Sequence, residues 1–387
     1  MIEALFYISI LGILHTYLIY PLSMLILGKM FYQKGSTPNE DYQPTVEIIF
    51  AAYNEEAVIR EKIIHSFTTK YPNNQLSVRI GSDASSDQTD NIISELQKDY
   101  PNLHFKRFPG RTGKAGILNQ LIKESKAELI VFTDANIIFN EDTIPNLVAD
   151  MQDPKVGISG GRIVYSSFAS TGISLQESTY LNLENKIKKA ESDLFGKAMG
   201  VEGGCYIIRK ALFTGIPPLF FMEDFYISMA TMQKRYDVLF NSDATCHEDA
   251  SVYSSEEYKR KVRISIGNFQ NLNAFKKLII TRFFPLGYIF LSHKVLRWFT
   301  PFFLLILIPT SLWLSLSSTL YGAIAVFYGV FIVLGALGIL FSQKKWMGVL
   351  KYPGHFIHMN VALLKGFYIY LKGVKSNAWE PTKRNQQ

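Results

Sequence analysis

The stretch Leu129-Ile130-Val131-Phe132-Thr133-Asp134-Ala135-Asn136 decides how the chain is read. Leu129–Thr133 is too short a run for a helix and suits a buried strand that ends at Asp134. Such strands belong to parallel sheets covered by helices. The apolar run stops at Thr133, and two polar side chains, Asp134 and Asn136, follow at once. Sheets of this kind bind ligands beyond the carboxyl ends of their strands, which is where Asp134 falls.

The same pattern recurs outward from this stretch. Val46–Ala52 is a β-branched and apolar run that ends at Asn54-Glu55-Glu56, a helix start with acids in its first turn. Helical spacing continues through Ile59, Ile63, Ile64 and Phe67. Leu76–Ile80 is the next strand and ends at Ser82-Asp83; Asp87–Leu96 is expected as a helix, Leu103–Phe105 as a short strand, and Lys114–Lys123 as a helix. The alternation predicts an α/β domain built on a parallel sheet with helices on both faces. No internal repeat or low-complexity segment interrupts it.

Charged residues make up only 19% of the 387 residues, against 48% hydrophobic. About 25% charged is usual for a soluble protein, and the deficit here is local. Ala4–Gly28 lacks Asp, Glu, Lys and Arg for 25 residues, more than the roughly 20 that span a bilayer. It holds His15 and Pro21, begins after Glu3, and is followed by Lys29 and Lys34. Without a basic start or a small-residue cleavage pattern, it reads as a retained anchor with its N-terminus outside.

Trp298–Gln343 lacks the same charges for 46 residues, enough for two helices that turn at Ser315–Thr319. Lys294 and Arg297 precede it, and Lys344, Lys345 and Lys351 follow it. Basic flanks on both sides place the segment 29–297 in the cytosol. Phe269–Tyr288 mixes Lys276, Lys277 and Arg282 with apolar residues and is expected to lie on the membrane surface. Gly354–Tyr370 contains Lys365, so an interfacial helix is preferred over a fourth span. A basic tail, Trp379–Arg384, then stays cytosolic. The expected organisation is an anchor over 1–30, a soluble domain over 44–268, surface helices over 269–297, two spans within 298–343, and an interfacial helix and tail over 344–387.

The net charge of +7 gathers near apolar runs, with no zinc-finger spacing and no basic stripe interleaved with aromatics. This favours a lipid bilayer as partner and argues against nucleic acid. Cys205 and Cys246 define neither a disulfide framework nor a metal site. Nothing in the sequence defines an oligomeric state.

Asp83 and Asp134 each suit a turn or helix cap when taken alone. Two such acids at strand ends of one sheet also suit a divalent cation with a diphosphate. Glu223-Asp224 sits among Phe221, Met222 and Phe225. It is either a helix start or a general base whose pKa an apolar wall would raise. Arg111-Thr112-Gly113-Lys114 opens a helix and can hold phosphate at its N-terminus, although it is no Walker loop. Lys259-Arg260-Lys261-Val262-Arg263 is a second basic cluster, either a phosphate clamp or a solvated helix face. Gly200–Gly204 marks a close backbone approach or a bulged strand that could line an acceptor pocket. His247-Glu248-Asp249 reads as a solvated loop rather than a metal cluster.

Over about Pro44–Gln270 these features resemble the family-2 membrane glycosyltransferases of the GT-A fold, which include cellulose, hyaluronan and poly-N-acetylglucosamine synthases. Ala52-Tyr53-Asn54-Glu55 is similar to the family's opening donor-binding strand end. Asp83 matches the acid at the nucleobase or ribose, and Lys114 with Arg111 the diphosphate side. Asp134 and Asn136 match the DxD motif that holds Mg2+ or Mn2+, and Glu223-Asp224 the motif whose Asp is the catalytic base. Arg260 to Ile264 falls where processive members carry Gln-x-x-Arg-Trp, so Arg260 and Arg263 are implied donor contacts. Gly203 and Gly204 are the acceptor candidates within the glycine-rich stretch noted above.

Two departures stand out: Asn136 replaces a metal-binding Asp, and Ile264 replaces the Trp that holds acceptor sugar. The resemblance therefore implies inverting, metal-dependent transfer from a nucleotide-sugar, UDP-linked by family habit, to a membrane-associated lipid or glycan, one sugar at a time. A processive synthase and a silent nucleotide-sugar-binding scaffold are the competing expectations.

Overall fold

The computed structural model describes residues 1–32, 36–39, 41–165, 172–248, 254–340 and 351–375. Lys34, Asp249, Lys344, Lys345 and the tail Trp379–Arg384 lie outside these residues. The chain divides into two units. One holds Met1–Ile26, Ser170–Tyr180 and Tyr253–Gly373; the other holds Leu27–Ala169, Leu181–Val252 and Val374–Gln387.

In chain order, α1 (Ile2–Leu14) and α2 (Tyr20–Met30) are followed by β1 (Val46–Ala52), α3 (Ile59–Phe67), β2 (Leu76–Ser82), α4 (Thr89–Leu96) and β3 (Leu103–Arg107). Next come α5 (Lys114–Glu124), β4 (Leu129–Phe132), β5 (Ile138–Phe139), α6 (Thr143–Asp150), β6 (Val156–Tyr165) and α7 (Gly172–Phe195). Then follow β7 (Tyr206–Arg209), α8 (Glu223–Gln233), β8 (Asp237–Glu248), α9 (Ser254–Phe275), α10 (Leu278–Thr281), α11 (Leu296–Trp298), α12 (Thr300–Leu314), α13 (Thr319–Leu340) and α14 (Lys351–Lys372).

Among the described residues the sheet unit carries eight strands in the order β3-β2-β1-β4-β7-β6-β8-β5. The first four are parallel, in register Val46↔Leu76, Val46↔Leu129 and Val78↔Leu103. The expectation of a parallel sheet holds for this half alone. β7 runs antiparallel to β4 and β6, and β5 runs antiparallel to β8, while β6 and β8 are parallel. The second half of the sheet is therefore mixed.

The centre of the sheet is buried on both faces, as its apolar runs require. Val46, Ile48 and Phe50 of β1 and Leu129 and Val131 of β4 join Ile59, Ile63, Ile93 and Leu96 of α3 and α4 in one core. Ile49, Ile130 and Phe132 are equally buried on the other face. There Gly81 of β2 lets α5 approach: a Cβ at this position would lie 2.4 Å from Ile117 Cγ2. One detail of α3 departs from its expected apolar face. Ile64 is exposed, and Lys62 takes the buried place.

Among the described residues two helices are long and apolar enough to cross a membrane, Ile2–Met30 and Thr319–Leu340. α12 alone has 15 residues, short of a span. Together with Phe283–Trp298 it passes, but the two are bent by 61°. The bent pair covers the second expected span, and it draws in residues expected on the membrane surface. α1 packs on α12 through Phe6, Leu307 and Leu314. α14 is held between two helices. A Cβ at Gly354 would lie 3.1 Å from the backbone of Gly338, and Ser265 of α9 donates to the Leu363 carbonyl at 2.8 Å.

Gly81→Ala should push α5 off the sheet. The expected result is a loss of about 1–3 kcal/mol, read as a lower thermal midpoint of the purified protein. An unchanged midpoint would show that the close approach at Ile117 is not needed.

Candidate functional site

The carboxyl ends of β1 and β2 are tied together: the Asp83 amide donates to the Ala52 carbonyl at 2.8 Å. Both strands then turn through left-handed residues, Asn54 at φ 51° and Ala84 at φ 59°. Asn54 locks the two turns together. Its amide donates to Ser85 Oγ at 3.2 Å, and its Oδ1 accepts from the Ser86 amide at 2.9 Å. The Glu55 amide donates to Thr89 Oγ1 at 2.8 Å, anchoring α4 to the same turn.

The Asp83 side chain is fully buried. Its oxygens accept from Arg111 Nε at 3.0 Å, from the Thr112 amide at 2.5 Å and from the Gly113 amide at 3.2 Å. The carboxylate thus fixes the loop before α5. The Arg111 guanidinium lies 3.4 Å from the centroid of the Tyr53 ring, a cation–π contact. Gly113, at φ 78°, makes the turn into α5.

α5 begins at Lys114, which joins two acids distant in sequence. Its Nζ lies 2.7 Å from Asp134 Oδ1 and 2.6 Å from Glu223 Oε1. Burial lowers the lysine pKa, but the Asp134 and Glu223 carboxylates outweigh burial and leave it raised. The ammonium therefore stays charged. Asp134 follows β4 in a tight turn closed by the Ile137 amide donating to the Asp134 carbonyl at 3.1 Å. Its side chain remains 42% exposed. Asn136 donates its amide nitrogen to Glu248 Oε1 at 2.9 Å.

An exposed carboxylate and a nearby side-chain amide oxygen are hard oxygen donors of the kind Mg2+ and Mn2+ accept alongside substrate phosphates. Among the described residues no group of three or more His, Cys, Asp and Glu side chains could hold a metal ion.

Glu223 and Asp224 open α8 after Met222, a left-handed residue at φ 56°. Acids are favoured in this first turn by the helix dipole. Asp224 Oδ1 accepts from the Phe225 amide at 2.8 Å. Burial, and then the charge of Glu223, push the Asp224 pKa up to about 7. Gly203 faces this carboxylate: a Cβ there would lie 3.1 Å from Asp224 Oδ2. Gly204 instead makes room for Ile137, whose Cγ1 would be 2.7 Å from an added Cβ. Beneath the acids, the Tyr206 ring stacks on Phe132 with centroids 4.8 Å apart.

Lys114, Asp134 and Glu223 therefore meet directly, with Asp224 adjacent to Glu223 and facing Gly203. Ala52, Tyr53, Asn54, Glu55, Asp83 and Arg111 form a linked neighbourhood at the ends of β1 and β2. Asn136 joins Glu248 at the end of β8. Arg260 and Arg263 lie exposed on α9, in the helical unit. Glu248, expected in a solvated loop, instead ends β8 as the partner of Asn136. Two lysines escaped sequence reading: Lys188, which pairs with Glu202 at 2.5 Å, and buried Lys62. Lys62 falls three residues after Ile59, on the apolar face of α3, and that spacing was the available signal.

Residues 47–215 match the family described as Glycosyl transferase family 2. The chain carries a glycosyltransferase family 2 domain. It is 36% identical over 152 residues to a beta-monoglucosyldiacylglycerol synthase of Trichormus variabilis, covering 39% of this chain and 32% of that protein. It is 23% identical over 231 residues to a poly-beta-1,6-N-acetyl-D-glucosamine synthase of Staphylococcus epidermidis, covering 59% of this chain and 55% of that one. The chain thus spans from a third to about half the length of these relatives. A solved mannosyltransferase of Pyrobaculum calidifontis, in complex with GDP-Man and Mn2+, shares the fold. It superposes with a TM-score of 0.66 at 21% identity, over 94% of this chain and 99% of that one.

The raised pKa of Asp224 has a consequence for stability. The folded state keeps its proton up to about pH 7, whereas the unfolded chain releases it near the ordinary 3.8. Stability is therefore lost as pH rises through this window. Asp224→Asn removes the loss, so its thermal midpoint should gain on the wild type between about pH 4 and 7. Parallel midpoint curves for the two proteins would contradict the buried, proton-holding Asp224.

Proposed function

We propose that the chain is an inverting glycosyltransferase that moves one sugar from a nucleotide-sugar to a membrane-associated lipid or glycan. The observation that carries this reading is the junction of Lys114, Asp134 and Glu223 beside Asp224. It sets a fixed cation, a cation-binding acid and a base candidate at the carboxyl end of one sheet, where such sheets bind ligands. The family 2 domain supports it.

In this reading the donor lies at the ends of β1, β2 and β4. Tyr53 and Arg111 receive the nucleotide, and Asp83 holds their loop. Lys114 exchanges its carboxylate partners for the diphosphate. Asp134 and the Asn136 carbonyl would hold Mg2+ or Mn2+, which would supply positive charge to the leaving diphosphate. Asp224, with a pKa of about 7, accepts the proton of the acceptor hydroxyl as its oxygen attacks the anomeric carbon. The new bond forms opposite the breaking bond to the diphosphate, so configuration inverts. Gly203 leaves the Asp224 carboxylate open to the acceptor.

A UDP-linked donor is the starting assignment, by the family resemblance. Arg260 and Arg263 are proposed as further donor contacts, and Gly203 with Gly204 as the acceptor wall. The helices Ile2–Met30 and Thr319–Leu340 are proposed to span the cell membrane. Their basic flanks put the domain on the cytosolic side. A lipid acceptor agrees with the glucosyldiacylglycerol synthase relative, and Ile264 favours single transfer. The similarity to poly-N-acetylglucosamine synthases, over a longer stretch of this chain, supports the second reading of a processive synthase. The size distribution of products separates the two.

Asp224→Asn should lower turnover by about 100-fold or more while nucleotide binding persists. Full turnover in this variant would remove Asp224 as the base. The assay is release of nucleotide by purified protein given several nucleotide-sugars with Mg2+ or Mn2+.

A further inference from the structure

Lys62 of α3 is fully buried. Among the described residues it makes no ion pair. Its amine donates to Thr133 Oγ1 at 2.9 Å and to the Ile137 carbonyl at 2.5 Å. It also lies 3.9 Å from the centroid of the Phe139 ring and 5.6 Å from that of Phe50. Its neighbours on α3, Ile59 and Ile63, are core residues. A leucine or methionine would fill this place without the penalty of a buried amine.

The two acceptors explain why an amine is there. Thr133 immediately precedes Asp134-Ala135-Asn136, and Ile137 immediately follows. One nitrogen atom grips both ends of this turn from beneath. Burial pulls the lysine pKa down to about 7, with Cys246, Cys205 and Asp134 acting in the opposite direction. A group that is unfavourable to bury, set under a turn that carries two proposed ligands, has the character of an outer support that orients ligands.

We propose that Lys62 is a positioning residue whose buried amine fastens both ends of the Asp134–Asn136 turn and thereby sets the affinity of the site for a divalent cation with a nucleoside diphosphate. The proposal rests on the transferase reading above. It predicts a loss of ligand affinity and not of the chemical step, because Lys62 lies below the turn and touches no reacting group.

The test uses the full chain in detergent and titrates Mn2+ by calorimetry in the presence of UDP or GDP. In Lys62→Met the Mn2+ affinity should fall about 10-fold or more, as for other outer supports of metal ligands. Turnover at saturating Mn2+ and donor should return close to wild type, so KM rises and kcat holds. Thr133→Val removes one grip from the other side and should shift affinity in the same direction if Lys62→Met does not fold. Ile63→Ala, a core truncation on the same helix, should lower the thermal midpoint and leave Mn2+ affinity unchanged. Wild-type affinity in both Lys62→Met and Thr133→Val overturns the role of Lys62 alone. Failure of the wild type to bind either nucleotide with Mn2+ overturns the transferase reading, and this proposal with it.

Discussion

Asp83 is the interaction on which the site depends. Its carboxylate lies out of water at the end of β2 and accepts from one guanidinium and two backbone amides of the 111–113 loop. Charge-assisted hydrogen bonds are the stronger kind, and inside protein they act in a low dielectric. The loop is therefore held before any ligand arrives. Its position fixes the first residue of α5, and that residue is Lys114. From there the order propagates to Asp134 after β4 and to Glu223 at the start of α8. Four segments far apart in sequence share one geometry because one buried acid sets the first of them.

The part of this arrangement that sequence reveals is the part written in local pattern. Leu129–Phe132 is apolar throughout and could only be a covered strand, so Asp134 had to fall at a strand end. Val46–Ala52 and Leu76–Ser82 carry the same signal. The second half of the sheet does not. β7 has four residues and β5 has two, and their antiparallel partners lie far away in the chain. The pairing of Lys114 with Glu223 spans the whole domain and leaves no periodic trace. Asp83 was legible as a site acid, but its tie to the 111–113 loop was not, because a strand end and a loop give no register to read.

Lys62 and the bent span show two further limits. A charged residue on the apolar face of a helix normally reaches solvent by its long stem, so one buried lysine among isoleucines reads as noise. In the helical unit, an unbroken apolar run gave the total length of apolar helix but not where it bends. α12 stops at Leu314, as the polar Ser315–Thr319 break requires. Its start was hidden because the preceding helix, with His293, Lys294 and Arg297, mixes charge with Phe and Leu.

Lys114 is shared by two carboxylates, Asp134 and Glu223, so each acid holds only part of one positive charge. In the proposed reading a cation arriving alone has to pull Asp134 away from an ammonium, and a diphosphate arriving alone has to draw that ammonium away from two acids. Arriving together, each would find the partner that the other releases. Cation and donor would then be mutually dependent visitors, each raising the affinity for the other by the reciprocity that binds any two linked ligands. On that reading the lysine is a lock that opens only to the matched pair.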